Sequence, residues 1–178
     1  MEPIETERLV LRGFEMSDVD ATHRQIYSSS EVWGPRSRSG VESAVAMAMY
    51  MAASPDDVPW TKRAVVLKDK GELIGSVRLS PSPNSFYRWE EEPDPPYNPV
   101  EVELAFAFGK DYWGKGYAYE ASLAMIDYAF NRLRLPRLVN GTGGDNLRSI
   151  ALHQRLGFRM FSALPNGDGI VAVLDNPN

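Results

Sequence analysis

Phe108-Gly109-Lys110-Asp111-Tyr112-Trp113-Gly114-Lys115-Gly116-Tyr117-Ala118 sits at the junction of two different residue patterns. Upstream of it, Val100 to Phe108 alternates polar and apolar residues and then turns apolar, the pattern of a strand. Downstream, Ala118 to Leu133 carries strong helix formers at helical period. A Gly-rich turn therefore feeds a strand into a helix N-terminus. Such a turn directs unpaired backbone N–H groups, and the positive end of the helix dipole, at one point. An anion such as a phosphate suits that point.

Two nucleotide motifs come close here, and each breaks at one residue. Gly109-x-x-x-x-Gly114-Lys115 matches most of a P-loop, but Gly116 stands where a Ser or Thr hydroxyl would bind the nucleotide's magnesium. Gly114-x-Gly116 begins a dinucleotide fingerprint, but Tyr119 occupies the third glycine position, and the motif lies past mid-chain where a Rossmann unit would open with it. A tight turn that merely reverses the chain is the plain alternative.

Around this centre the remaining elements read in order. Thr6 to Arg12 alternates as a first strand. Ser17 is placed to cap a helix that runs to Tyr27, with Asp18 and Asp20 in its first turn. Ser28 to Gly40 reads as a loop, and Val41 to Ala53 as a second helix. In that helix Met47, Met49, Tyr50 and Met51 read as core, with an adaptable apolar pocket as the alternative. Thr61–Lys68 and Leu73–Leu79 form a hairpin about Gly71-Glu72. Ser80 to Pro99 holds six prolines and the run Glu90-Glu91-Glu92, and reads as irregular throughout. Its acids suit a cationic substrate, or simply a solvated insertion. After the central motif come a strand from Arg137 to Gly141, a turn at Gly143-Gly144-Asp145, and a helix capped by Asp145 or Asn146 and ended at Gly157. Phe158–Ala163 and Gly169–Leu174 close the chain as a strand pair. No repeat or linker interrupts it. The expectation is one α/β (α+β) domain over residues 1–178 with a mixed sheet.

Composition narrows the function. The 178 residues are 43% hydrophobic, enough for one domain with a real core. A net charge of −5 makes nucleic acid a poor partner. The absence of cysteine removes thiolate metal sites and Cys nucleophiles and suits a reducing cytoplasm, and two histidines, His23 and His153, do not supply a His metal cluster. No signal peptide is visible, and no apolar run approaches the roughly 20 residues that span a bilayer.

The motif residues then resemble a family. Asp111-Tyr112-Trp113-Gly114-Lys115-Gly116 falls on the pyrophosphate signature Gln/Arg-x-x-Gly-x-Gly/Ala of the GNAT superfamily of N-acetyltransferases. The wider run to Glu120-Ala121 is similar to the branch of the ribosomal-protein alanine N-acetyltransferases (RimJ/RimL-like). Two further blocks agree in order and spacing: Glu7-Arg8-Leu9-x-Leu11-Arg12, and Asn146-x-x-Ser149-Ile150 with Leu156-Gly157-Phe158. The signature's first position holds Asp111 in place of Gln or Arg.

The resemblance implies a mostly antiparallel twisted sheet flanked by about four helices and splayed between its fourth and fifth strands. It implies acetyl-coenzyme A as co-substrate, with no metal, and a primary amine as acceptor: a protein N-terminus or a small molecule. Homodimers are common in the family, although no sequence signal for one is present. Backbone amides of Trp113, Gly114, Lys115, Gly116, Tyr117 and Ala118 would hold the pyrophosphate, and the pantetheine arm would follow Leu104, Ala105, Phe106, Ala107 and Phe108. An N–H near Phe106 would polarise the thioester carbonyl. Asn146 and Ser149 would face the coenzyme, and Lys110, Lys115, Arg148 and Arg155 are candidates for its outer phosphates.

The reaction implied is direct attack of a neutral amine on the thioester. A lysine-type amine, with a pKa near roughly 10.4, calls for a base, and Glu103 is the first candidate, ahead of Glu101. The plain reading of both is the solvent face of a strand. Many family members carry a Tyr that protonates the departing thiolate four residues after the Ser149 position, and here that residue is His153. Ser149 is the rival donor, and Tyr112 and Tyr117 are weaker ones. The missing Tyr keeps open a second reading, a non-catalytic acyl-coenzyme A-binding module.

Overall fold

The computed structural model describes residues 2–28, 35–53, 62–83, 100–163 and 169–177. Three of the segments read above therefore lie in part outside the described residues: the early loop at 29–34, the hairpin's first strand at Thr61, and the acidic Pro-rich stretch at 84–99. The strands are β1 (Ile4–Glu5), β2 (Leu9–Arg12), β3 (Lys62–Leu67), β4 (Leu73–Pro83), β5 (Val100–Phe108), β6 (Arg137–Gly143), β7 (Arg159–Ser162) and β8 (Gly169–Asp175). The helices are α1 (Val19–Thr22), α2 (Arg38–Ala52), α3 (Tyr117–Asp127) and α4 (Leu147–Arg155). A 3₁₀ turn at Met16–Asp18 leads into α1, and a π turn at His23–Tyr27 continues it. The strands form one sheet in the order β1-β2-β3-β4-β5-β6-β8-β7. Of the ladders described, only β5–β6 is parallel. This is the mixed, mostly antiparallel α/β architecture expected from the sequence.

Two compact units divide the chain: Met1–Arg78 with Phe106–Ala124, and Leu79–Ala105 with Met125–Asn178. In the first, β2 and β3 pair over four residues, from Leu9↔Leu67 to Arg12↔Ala64. Its core gathers Phe14, Val19, Ile26, Tyr27, Val41, Val45, Ala64, Val66 and Leu73. In the second, β6 pairs with β8 over seven residues, and Val139, Val171 and Val173 form the core.

Several boundaries differ from the sequence reading. The first helical turn begins one residue after Glu15, whose N–H donates to Asp18 Oδ2 at 2.8 Å, so the cap falls at Glu15 and not Ser17. Asp18 can act here because Arg12 holds it from the other side, at 2.7 and 2.9 Å. Helix α2 starts within the expected loop, because the Ser37 hydroxyl accepts from the Gly40 N–H at 3.1 Å. Its buried stripe is Val41, Val45, Ala48 and Met49 at helical spacing, which turns Met47, Tyr50 and Met51 outward. Of the four residues read as core, only Met49 packs there. Strand β4 runs through Ser80–Pro83, so the Pro-rich stretch is regular over its first four residues. Residues two apart in a strand direct their N–H groups to the same side. Pro81 and Pro83 therefore lack donors along one edge only, and Ser80 and Ser82 keep theirs on the other.

Candidate active site

The central motif lies in the first unit. The Gly109 N–H donates to the Ile74 carbonyl at 3.0 Å, which ends β5, and a 3₁₀ turn at Lys110–Tyr112 follows. Trp113 anchors the turn by donating from Nε1 to the Phe108 carbonyl at 2.8 Å. Gly114 and Gly116 then take φ of 73° and 82°, a left-handed region that L side chains avoid. Backbone that alternates in this way turns successive amides toward one concavity, a ready seat for an anion. The first bond closing α3 runs from the Glu120 N–H to the Gly116 carbonyl at 3.0 Å. The preceding amides of Tyr117 and Ala118 thus have no acceptor within the helix.

Beneath this turn lies a polar cluster that sequence reasoning did not join. The Glu120 carboxylate accepts from Thr6 Oγ1 at 2.6 Å and the Arg8 N–H at 2.8 Å through one oxygen, and from Arg8 Nε at 2.7 Å through the other. Arg8 Nη1 donates to the Lys115 carbonyl at 3.0 Å, and its guanidinium lies 4.6 Å from the Tyr117 ring centre. Burial pushes the Glu120 pKa up, but the bonds from Thr6 and Arg8 outweigh it and hold the carboxyl below its usual range. Tyr112 is different: burial first, then a hydrogen bond to Glu72, pushes its pKa up to about 12. A phenol so held is a poor proton donor.

The other candidates lie mainly in the second unit. Glu101 and Glu103 are both buried, at 5% and 9% exposure, so the plain reading of a solvent-facing strand does not hold. Strand β5 is enclosed on both faces from Glu101 to Ala105, and its polar-apolar alternation marks two kinds of interior. Glu101 is spent on a two-pronged ion pair with Arg137, through Nε at 2.9 Å and through Nη2. Glu103 sits at the one β5–β6 register pair described, Glu103↔Val139. One residue further along each strand, the Asn140 side-chain amide donates to the Leu104 carbonyl at 2.9 Å.

Asn146 caps α4, accepting from the Ser149 N–H at 3.2 Å. Ser149 is half-buried, and His153 one turn later is fully enclosed. His153 Nδ1 lies 2.8 Å from the Ser149 carbonyl and 3.4 Å from Ser149 Oγ. A carbonyl only accepts, so Nδ1 carries the proton and cannot take the serine's. The Phe158 ring meets the imidazole edge-on at 5.1 Å. Burial lowers the His153 pKa, opposed in part by the bond to the Ser149 carbonyl, so the ring is neutral near pH 7. Among the described residues no cluster of three His, Asp or Glu is placed to hold a metal, and no helix is long and apolar enough to cross a membrane.

Comparison with known proteins shows the family. The profile of the acetyltransferase (GNAT) domain matches residues 8–159. The chain is 29% identical over 163 residues to an uncharacterized N-acetyltransferase, p20, of Bacillus licheniformis, covering 89% of this chain and 83% of that one. A GNAT-family acetyltransferase from Bacillus anthracis superposes with a TM-score of 0.76 at 22% identity, over 99% of this chain and all of that one. RimL, a ribosomal L7/L12 α-N-protein acetyltransferase solved in complex with coenzyme A, superposes with a TM-score of 0.69 at 17% identity, over 98% of each chain. The chain belongs to the GNAT family and is an acetyltransferase.

Proposed function

We propose that this protein moves the acetyl group of acetyl-coenzyme A to a primary amine by direct attack on the thioester. The observation that carries the reading is the pair of left-handed glycines, Gly114 and Gly116, opening an 11-residue helix with no magnesium-binding hydroxyl beside them. Such a cradle favours an anion bound without a metal, and the pyrophosphate of a coenzyme is one. The family supports the same co-substrate. RimL, whose fold the chain shares, acts on protein N-termini, which makes an α-amine the first acceptor class to test.

In this reading the amides of Trp113 to Ala118 hold the pyrophosphate and the β5 backbone from Leu104 to Phe108 carries the pantetheine arm, with Asn146 also facing the coenzyme. The N–H of Phe106, or a neighbour, stabilises the negative charge that develops on the thioester oxygen. Glu103 takes a proton from the amine, directly or through water. The amine nitrogen bonds to the acetyl carbon, the carbon–sulfur bond breaks, and the thiolate accepts a proton through the Ser149 hydroxyl, which takes one from solvent in turn and ends neutral. Glu101, paired with Arg137, is the weaker choice of base. His153 acts as a positioning residue: it is neutral and enclosed, and its Nδ1–H holds the Ser149 backbone while leaving the serine O–H free to donate.

A thiol-release assay with acetyl-coenzyme A and a panel of peptides of varied first residue, polyamines and aminoglycosides tests the proposal. Release that depends on one amine class supports it. Coenzyme binding with no release for any amine would show a binding module instead.

A further inference from the structure

The Thr6-Glu7-Arg8 block has no part in the acetyl transfer described above, yet Arg8 touches the Gly turn from below. We propose that Arg8 is a positioning residue for the coenzyme, fixing the Lys115–Gly116 peptide plane so that its amide faces the bound anion. This rests on the reading of the turn as the coenzyme grip.

In a trans peptide the carbonyl of one residue and the N–H of the next lie in one plane and point in opposite directions. Drawing the Lys115 carbonyl onto Arg8 Nη1, at 3.0 Å, therefore turns the Gly116 N–H away from Arg8. Glycines at 114 and 116 leave that plane unusually free to rotate, so a contact that holds it matters more here than in an ordinary turn. The Tyr117 ring under the guanidinium, at 4.6 Å, provides a second hold on the same segment.

Arg8 is itself held. Glu120 takes its Nε at 2.7 Å and its backbone N–H at 2.8 Å, and Thr6 adds a bond to the same carboxylate at 2.6 Å. The carboxylate is only 16% exposed, against 43% for the Arg8 side chain. Glu120 also lies in the first turn of α3, where a lone negative charge would oppose an incoming pyrophosphate. Arg8 cancels that charge. The planar fork is needed for this, because it meets the carboxylate and the Lys115 carbonyl at the same time, which a lysine ammonium cannot do in one fixed geometry.

The test uses Arg8→Gln and Arg8→Lys in the full chain. Three quantities are read: the dissociation constant for coenzyme A by calorimetry, KM against kcat for acetyl-coenzyme A, and amide hydrogen exchange over residues 113–118 without coenzyme. Arg8→Gln should weaken coenzyme A binding about tenfold, the loss of one charge-assisted contact and its orienting effect. It should raise KM similarly, leave kcat at saturation within about twofold, and speed exchange across the turn. Arg8→Lys should recover little of this. Wild-type affinity together with wild-type exchange in Arg8→Gln would overturn the proposal. If that variant does not fold, the same pair of results in Arg8→Lys overturns it. Should the wild-type protein fail to bind coenzyme A, the reading of the grip fails, and the exchange measurement still decides whether Arg8 holds the turn.

Discussion

Replacing the two left-handed glycines one at a time separates the backbone's contribution to the cradle from that of its neighbours. Gly114 and Gly116 sit at φ 73° and 82°. A Cβ in that region crowds the following carbonyl and costs about 1–2 kcal/mol. A Cβ at Gly114 would meet nothing within 4 Å, whereas one at Gly116 would lie 3.3 Å from Arg8 Nη2. Gly114→Ala therefore measures the backbone cost alone, and Gly116→Ala adds displacement of Arg8. If the turn keeps its shape in the variants, each loses about 1–2 kcal/mol of stability, or roughly 2–8 °C in Tm for a chain of this size. If the free turn relaxes instead, Tm is kept and the coenzyme must restore the conformation on binding, so affinity falls about five- to thirtyfold. In either case Gly116→Ala should lose more affinity than Gly114→Ala. Thermal unfolding and calorimetric titration with coenzyme A on both variants provide the measurement. Wild-type Tm together with wild-type affinity in both would overturn this expectation, since the left-handed backbone would then not shape the turn.

Glu103→Gln should lower kcat at least about 100-fold across pH 6–9 if Glu103 is the base; full turnover in that variant removes the assignment. Ser149→Ala should slow thiolate release about tenfold or more with lysine-type amines while coenzyme affinity holds, and an unchanged kcat would return the proton donor to solvent. His153 gives a stability signature. Its pKa is lowered by burial in the folded protein and lies near roughly 6.5 in the unfolded chain, so below that pH the unfolded state binds more protons. The stability it contributes is present above pH 6.5 and is lost as pH falls from there toward the folded pKa. Tm measured from pH 7.5 to 5 should drop more steeply for the wild type than for His153→Asn, and parallel lines would show that His153 does not carry the effect. Tyr112→Phe should leave kcat within about twofold, because a phenol with a pKa near 12 donates poorly; a large loss would make Tyr112 the acid.

Local signals carried the fold a long way. The strand, Gly turn and helix around Gly114 each have a short-range cause, namely alternation, left-handed glycines and helix formers, so they stood out in the sequence. The cap at Asn146 and the stop at Gly157, with φ of 91°, are equally local and lie where the sequence placed them. Errors arose where a distant partner decided. Asp18 caps the first turn only because Arg12 holds it, and β4 continues through Pro81 because one strand edge can do without donors. Burial of Glu101 and Glu103 on a strand that reads as half-polar depends on Arg137 and on what covers both faces of β5. Sequence alternation cannot distinguish a wet face from a polar interior.

An α/β chain with a Gly turn joining a strand to a helix at residues 113–118 follows from spacing along a few residues, and the motifs there and at Asn146–Phe158 resemble the acetyltransferase family. What stands beneath the Gly turn follows from tertiary packing alone. Glu120 and Arg8 are 112 positions apart and meet through two hydrogen bonds, and Thr6 adds a third to the same carboxylate. Packing also decided that His153 faces inward onto the Ser149 carbonyl. Such contacts arise when strands and helices pack, and no periodicity in the chain encodes them.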